Sequence, residues 1–257
     1  MVKPNTDTLW TKQDPTDLYI AMQTLCRASD GSFMFGGAAR HPTIGSTHGT
    51  YLRKLNSHGQ LLWNKTDFFN NTGGNVIMAA LSLPDKSYLV GGSINDKHYS
   101  ISRADSLGNF TWSKNYNRSQ YFSLFRTMQF TATGNVITAG NSSPVAGIYH
   151  IRMLLLNQNG DSLLGKQIVV TGPNRLESMY DGFNGVLPLS DGGYLLTART
   201  DTILNPPYRQ YLGMAVRLDA NMNVIWKYVH RNQNTEEYVF SKAKELTDGS
   251  ILVLGFQ

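Results

Sequence analysis

The carboxylates of this chain are the residues that could carry out acid–base chemistry. Hydrolysis of a glycosidic bond needs two of them, about 5 to 10 Å apart, on either side of one sugar bond. Many aspartates lie in short turns, where their side chains bond the local backbone. The carboxylates outside these turns are Asp14, Asp17, Asp67, Asp96, Glu177, Asp181, Asp201, Glu236, Glu237 and Glu245. Asp17, Asp181 and Glu237 precede predicted first strands and are therefore the catalytic candidates.

Histidine and cysteine show no metal-binding or nucleophile pattern. His98 and His150 begin predicted third strands, with His48 one position earlier in its repeat. Equivalent third-strand residues of neighbouring units should lie more than about 10 Å apart, whereas zinc holds its ligands at about 2 Å. The single cysteine, Cys26, falls in an apolar strand pattern typical of a buried thiol, and it excludes an internal disulfide. We therefore predict neither a metal nor a cofactor.

A short phrase recurs at intervals of roughly fifty residues and organises the chain. Most copies contain Trp-x-Lys or Trp-Lys, and one is degenerate. The copies are Leu9–Lys12, Leu62–Lys65, Thr111–Lys114, Leu163–Lys166 and Ile225–Lys227. Because a unit of this size cannot bury a core alone, it must share one with its neighbours.

Each repeat follows one plan of four strands. An apolar strand leads through a tight turn, often Asp-Gly, into a second strand, and Asp-Gly supplies the positive φ that a hairpin needs. A third strand alternates apolar and basic residues, and the fourth carries the recurring phrase. Four antiparallel strands per unit, repeated radially, predict an all-β fold, a β-propeller.

The two chain ends each carry part of one repeat. The C-terminus supplies strands one and two of a last unit, and the N-terminus supplies a fourth strand, Thr8–Trp10. We therefore predict a single domain over residues 1–257, a five-bladed β-propeller whose closing blade is split between the termini. The predicted blades are approximately 18–65, 74–114, 122–166, 183–227, and 238–257 plus 1–12.

Two stretches carry a family resemblance, Ser190–Leu196 and Val216–Lys227. They resemble the repeats of secreted bacterial β-propeller proteins that are abundant in the Bacteroidetes. The Gly-Gly and Trp positions are also similar to kelch repeats, and the Leu-Asp-Ala…Trp portion resembles the docking motif of quinoprotein-type propellers. The resemblance implies a secreted or cell-surface protein.

Charge and hydropathy exclude several classes of partner. The net charge is +5 and the pI about 9.2, but the basic residues are scattered rather than concentrated in a stripe, so we expect no nucleic-acid partner. No apolar run of eighteen residues is present, so we expect no transmembrane segment. The first twenty residues lack the apolar core of a signal peptide, and we expect a mature or excised form.

The longer connections form the predicted binding face, because variable loops on a rigid scaffold usually carry function. Its loops are Arg40–Gly49, Asn95–Tyr99, Pro144–His150 and Thr200–Leu212. The sharpest candidate is Asn205–Tyr211, which two prolines should stiffen. The predicted ligand-binding residues are Tyr208, Arg209, Tyr211, Phe68, Phe69, Tyr116, Arg118, Tyr180, His230 and Arg231.

Three functions are compatible with such a face. The first is a non-catalytic interaction module, a monomeric propeller that binds a protein through its long loops. The second is a carbohydrate-binding, lectin-like module that uses flat aromatic side chains. The third is a five-bladed propeller glycosidase that uses Asp17, Asp181 or Glu237.

Overall fold

The computed structural model describes residues 19–40, 48–67, 75–94, 98–118, 122–145, 148–169, 177–178, 185–205, 208–230 and 239–256. The chain divides into two compact units. The first comprises residues 1–96 and 101–114, and the second comprises residues 97–100 and 115–257. Regular structure in the described ranges is entirely β.

The strands are numbered in chain order. They are β1 (Tyr19–Arg27), β2 (Phe33–Arg40), β3 (His48–Leu55), β4 (Leu61–Asp67), β5 (Val76–Ser82), β6 (Tyr88–Ile94), β7 (His98–Ala104), β8 (Phe110–Arg118), β9 (Phe122–Phe130), β10 (Val136–Val145), β11 (Ile148–Leu156), β12 (Ser162–Ile168), β13 (Glu177–Ser178), β14 (Val186–Pro188), β15 (Tyr194–Asn205), β16 (Tyr208–Leu218), β17 (Val224–Val229), β18 (Val239–Glu245) and β19 (Ile251–Phe256).

These strands form a series of sheets in which sequence neighbours pair. The first three sheets have the orders β1-β2-β3-β4, β5-β6-β7-β8 and β9-β10-β11-β12. In the fourth sheet, β13 and β14 both pair with β15, followed by β16 and β17, while β18 and β19 form a two-stranded sheet. The predicted repeat of four antiparallel strands is therefore confirmed. Residues 1–18 lie outside the described ranges, so the split closing blade and the count of five remain predictions.

The turn aspartates have the predicted structural role. In the turn between β1 and β2, the Asp30 Oδ1 atom accepts a hydrogen bond from the Ser32 backbone N–H at 2.9 Å. In the turn between β7 and β8, the Asp105 Oδ1 atom accepts from the backbone N–H groups of Leu107 and Asn109 at 2.9 and 2.8 Å. Each carboxylate thus satisfies backbone donors that the turn leaves without strand partners.

The basic residues of third strands also have a structural role, which the sequence pattern alone did not reveal. Lys54 on β3 forms an ion pair with Asp30 at 3.2 Å. Arg103 on β7 and Arg217 on β16 form the same kind of pair with the turn aspartates of their own sheets, Asp85 and Asp191. In three sheets a third-strand cation is therefore held against the turn that joins strands one and two.

Each unit has its own apolar core. In the first unit, Met34, Leu52, Ile77 and Tyr88 belong to one buried cluster, against which the Trp63 ring packs. In the second unit, a larger cluster includes strand residues from β10, β11, β15 and β16. The alternating pattern of the strands therefore places one side of each sheet in a shared core.

Two of the predicted loops are hairpin extensions instead. β15 and β16 continue to Asn205 and Tyr208, with Asp201 opposite Tyr211 and Thr200 opposite Leu212, so the predicted loop at 200–212 was wrong over most of its length. The segment contains Thr, Ile, Leu and Tyr, which favour strands. Pro206 and Pro207 lie outside the described residues. β10 and β11 likewise extend into the predicted loop at 144–150.

Candidate functional site

A β-bulge recurs in the first strands. In the first sheet, Met22 pairs with Gly37 and Thr24 pairs with Gly36, so Gln23 is an extra residue in β1. The same irregularity occurs at the same level in β5, β9 and β18. The four extra residues are Gln23, Met78, Arg126 and Ser241. Bulges change the direction of side chains and are over-represented next to active sites, so this level of the sheets is a candidate position for a functional site.

The bulges explain the glycines of the second strands. A Cβ atom on Gly37 would lie 1.9 Å from the Ala21 carbonyl oxygen, and one on Gly92 would lie 2.1 Å from that of Val76. At Gly140 the corresponding distance, to the Leu124 oxygen, is 2.2 Å. A side chain at this position would therefore overlap the backbone of the first strand, so the sequence carries glycine there.

The fourth sheet departs from this rule. Its first-strand residues Ser178 and Val186 pair with Arg199 and Leu196. Between these two pairs the first-strand sequence has residues 179–185, whereas the second strand has only Thr197 and Ala198. Seven residues thus replace two, and we call residues 179–185 the fourth-sheet insertion. Ala198 occupies the second-strand position that is glycine in the other sheets, and no described first-strand residue pairs with it. The insertion carries Asp181 and Tyr180, and both lie outside the described residues.

A small cavity lies at the base of the insertion, within the second unit. Its volume is about 80 Å³, and its walls include Gln129, Gly185, Thr197 and Lys242. The Thr197 backbone N–H donates to the Gly185 carbonyl at 2.8 Å, and the Thr197 hydroxyl donates to the Ser241 carbonyl at 3.4 Å. The cavity has room for water or a small ion but not for a sugar ring.

The electrostatics beside the insertion are positive. Arg126 is the extra residue of the β9 bulge, and Arg199 is paired with Ser178, the last strand residue before the insertion. Burial, together with the nearby charge of Arg199, lowers the pKa of Arg126 to about 10. Two neighbouring guanidinium groups favour the ionised form of a carboxyl group placed beside them.

The described turn carboxylates are already engaged by their own turns. They are Asp30, Asp85, Asp105, Asp161, Asp191, Asp219 and Asp248. Glu245, counted among the residues outside turns, accepts hydrogen bonds from the Ser190 backbone N–H and hydroxyl at 2.8 Å each. The three catalytic candidates, Asp17, Asp181 and Glu237, lie outside the described residues.

Two of the predicted ligand-binding residues make packing contacts. The Tyr116 hydroxyl donates to the Gly160 carbonyl at 2.6 Å, and burial raises the pKa of Tyr116 to about 12. The His230 backbone N–H donates to the Gly213 carbonyl at 2.8 Å, and its ring centroid lies 6.2 Å from that of Phe240. Both residues therefore contact a neighbouring sheet, Tyr116 the turn between β11 and β12 and His230 the β18 residue Phe240.

The other predicted ligand-binding residues fall into two groups. Phe68, Phe69, Tyr180 and Arg231 lie outside the described residues. The backbones of Arg118, Tyr208, Arg209 and Tyr211 lie in β8 and β16. The sequence pattern did not identify the level of the bulges. The sequence signal that could have identified it is the glycine at the end of the second strands, which is alanine only at Ala198.

The remaining reactive side chains have structural surroundings. Burial raises the pKa of the Cys26 thiol to about 12, so the thiol is protonated at neutral pH and is a poor nucleophile. Among the side chains that the structure describes, no group of three or more His, Cys, Asp or Glu residues is arranged to hold a metal ion. Within the same ranges, no helix has the length and apolar character needed to cross a membrane.

Comparison with known proteins gives structural matches only. No family model and no curated protein matches the chain. An α-L-arabinanase from Penicillium chrysogenum, solved in complex with arabinobiose, is 11% identical with a TM-score of 0.59, over 92% of this chain and 74% of the arabinanase. A mannose phosphorylase from Leishmania mexicana, solved with phosphate ion, is 9% identical with a TM-score of 0.46, over 92% of this chain and 85% of the phosphorylase.

The likeness to the arabinanase supports the β-propeller fold and establishes nothing finer, since 11% identity is too low to carry more than a fold. The TM-score of the phosphorylase match is below 0.5, and nothing is inferred from it. None of these comparisons supports the resemblance to kelch, quinoprotein or Bacteroidetes repeats.

Proposed function

We propose that this chain is a β-propeller that binds carbohydrate and hydrolyses glycosidic bonds. The observation that carries the proposal is the fourth-sheet insertion, which interrupts a first strand at the level where the other first strands have a one-residue bulge. The insertion carries a carboxylate, Asp181, in its sequence, and it follows Ser178, whose strand partner Arg199 lies near Arg126. The likeness to an arabinanase solved with a disaccharide supports the same substrate class.

The proposed chemistry needs two carboxyl groups in different protonation states. We assign the base or nucleophile to Asp181, because a carboxyl group beside Arg126 and Arg199 is favoured in its ionised form. Glu237, which belongs to the same unit, is the acid and donates its proton to the glycosidic oxygen as the bond to the anomeric carbon breaks. Water supplies the hydroxyl group that completes the sugar product, and its second proton returns to a carboxylate.

This proposal differs from the first hypothesis drawn from the sequence. The comparisons favour a carbohydrate-active propeller over a non-catalytic module that binds a protein. A lectin-like module is the second candidate, because the described turn carboxylates are held by their own turns. A lectin would bind sugar without releasing product, which separates the two candidates.

The test is hydrolysis of a panel of chromogenic aryl glycosides that includes α-L-arabinofuranosides. We expect the wild-type chain to cleave at least one of them. In Asp181→Asn the kcat for that glycoside should fall by about 10² to 10⁴-fold, because the substitution removes one proton-transferring or nucleophilic group. Glu237→Gln should slow the cleavage of aryl glycosides with good leaving groups least, because these substrates need the acid least. Asp17→Asn tests the remaining candidate carboxylate.

Asp191→Asn is the matched control, because Asp191 lies in the same sheet but is engaged by the Gly193 backbone and by Arg217. It should change stability and leave kcat within a few fold. Cleavage that persists in all three candidate variants would contradict the assignment of the carboxylates. An inactive wild type that still binds glycans would support the lectin-like alternative.

We also propose that the ring has five blades and that the N-terminal segment completes the last. In the described part of the chain β19 pairs only with β18, and its residues Leu252 and Leu254 are 62% and 61% exposed. The second strands of the four larger sheets are each covered by a third strand. Residues 2–3 and 8–10 have the pattern of the two missing strands.

A further inference from the structure

A second cavity lies in the first unit, apart from the fourth-sheet insertion. Its volume is about 270 Å³, and it is lined by residues at the adjacent ends of β1 and β2. These residues are Tyr19, Ile20, Ala21, Ala38, Ala39 and Arg40. The Tyr19 side chain is 72% exposed, so its ring is accessible to a ligand.

The strand register explains the shape of this cavity. Tyr19 lies opposite Arg40, and Ala21 lies opposite Ala38. Residues two apart on a strand, and residues directly opposite across a pair, share one face of a sheet. The two alanines therefore give a low apolar floor, and the longer Tyr19 and Arg40 side chains rise beside it. Ala39 belongs to the opposite face and is fully buried.

We infer that this cavity binds a single sugar ring, an inference that rests on the proposed function and names one subsite for it. A pyranose or furanose has an apolar face of C–H groups and a rim of hydroxyl oxygens. The Tyr19 ring and the alanine floor suit the apolar face, and the Tyr19 hydroxyl can hydrogen-bond the rim. Small-molecule sites generally begin at about 300 Å³, so a cavity near this lower limit suits one ring rather than an oligosaccharide.

The cavity lies close in the sequence to one of the candidate carboxylates. Asp17 precedes Tyr19 by two residues in the sequence. Covalent geometry alone keeps the two Cα atoms within about 7 Å of each other. A sugar held against Tyr19 is therefore close to the chain segment that carries this carboxylate.

The test measures binding rather than hydrolysis, so it is independent of the catalytic carboxylates. The probes are the methyl glycosides of arabinofuranose, xylose, galactose, mannose and glucose, titrated in the millimolar range and followed by ligand-observed NMR. Tyr19→Ala should raise the Kd of the tightest probe roughly tenfold, the usual size for loss of a contacting tyrosine. Ala38→Leu should weaken binding similarly, because it fills the floor and leaves Tyr19 in place.

Phe110→Ala is the matched control, since Phe110 is an exposed aromatic residue of the same unit, and its Kd should equal that of the wild type. If the wild type binds a probe and both cavity variants bind it equally well, the subsite is wrong while the proposed function stands. If the wild type cleaves glycosides but binds none of the five probes, the subsite is also wrong. If it neither binds nor cleaves, both proposals fail.

Discussion

At the residue scale, this chain uses most of its described carboxylates to build turns. The Ser32 hydroxyl and backbone N–H donate to Asp30, and together with Lys54 they hold the pKa of Asp30 at about 2. Hydrogen bonds from Ser87 likewise lower the pKa of Asp85. These aspartates remain charged at any physiological pH, and they are therefore poor proton donors for catalysis.

The lowered pKa of Asp30 predicts how stability depends on pH. A carboxyl group whose pKa is lower in the folded than in the unfolded chain stabilises the fold fully above its unfolded pKa, about 3.9. This contribution is lost as the pH falls through the folded value of about 2. The urea midpoint should therefore decrease between about pH 4 and pH 2, and the decrease should be smaller in Ser32→Ala, whose Asp30 has lost its strongest donor.

Ser113→Ala provides the control for this comparison, because the Ser113 hydroxyl bonds that of Ser102 and not a carboxylate. The urea midpoint of Ser113→Ala should change with pH as that of the wild type does, with a constant difference between the two midpoints. A Ser32→Ala profile parallel to that of the wild type would show that Asp30 is not linked to folding in the way its contacts indicate.

At the element scale, the recurring fourth-strand phrase acts by packing on a turn. In the first unit, the Trp63 indole N–H donates to the Ser106 carbonyl at 2.9 Å, and Lys65 donates to the Asn109 side chain at 3.1 Å. Both acceptors lie in the turn between β7 and β8. In the second unit, Lys166 makes the equivalent bond to Asn223. The period of roughly fifty residues therefore reflects one contact that is repeated from sheet to sheet.

Two glycine substitutions should separate this packing from backbone strain. Gly31 and Gly108 both have positive φ, +78° and +82°, so alanine at either costs about 1–2 kcal/mol. A Cβ on Gly31 meets nothing within 4 Å, whereas one on Gly108 would lie 2.8 Å from the Trp63 ring. Gly108→Ala should therefore lower the free energy of unfolding by a further ~1–3 kcal/mol, measured by urea denaturation. Equal losses in the two variants would mean that the Trp63 contact contributes little.

The elements were predictable from the sequence to different degrees. The Asp-Gly turns and the Trp63 phrase identified the four-stranded repeat, because both signals are local. The extension of β15 and β16 to Asn205 and Tyr208 was missed, because proline suggested a loop while strand-forming residues paired on either side of it. The fourth-sheet insertion was missed as well, because alanine in place of glycine at Ala198 is a weak sequence signal whose meaning the strand register shows. The candidate site therefore depends on long-range pairing that residue types do not reveal.

At the scale of the whole molecule, the proposed five-bladed ring depends on the chain termini. Trp226 is 43% exposed, whereas its counterpart Trp63 packs on a turn. We expect the turn at residues 4–7 to receive Trp226 and the segment 2–10 to cover β19. Amide hydrogen exchange across 251–256 should then be slow in the wild type and faster when Leu9 and Trp10 are both replaced by Asp. The exchange of β10 should not change, and equal exchange of β19 in both proteins would contradict closure by the N-terminus.

The central claim is that this propeller cleaves carbohydrate through Asp181 of the fourth-sheet insertion and a second carboxylate. The most direct test is the release of new reducing ends from a panel of plant and microbial polysaccharides incubated with the purified chain. We predict release from at least one polysaccharide by the wild type and by Asp191→Asn, and release at least ~100-fold slower by Asp181→Asn. No release by the wild type from any of them, or equal release by Asp181→Asn, would contradict the claim.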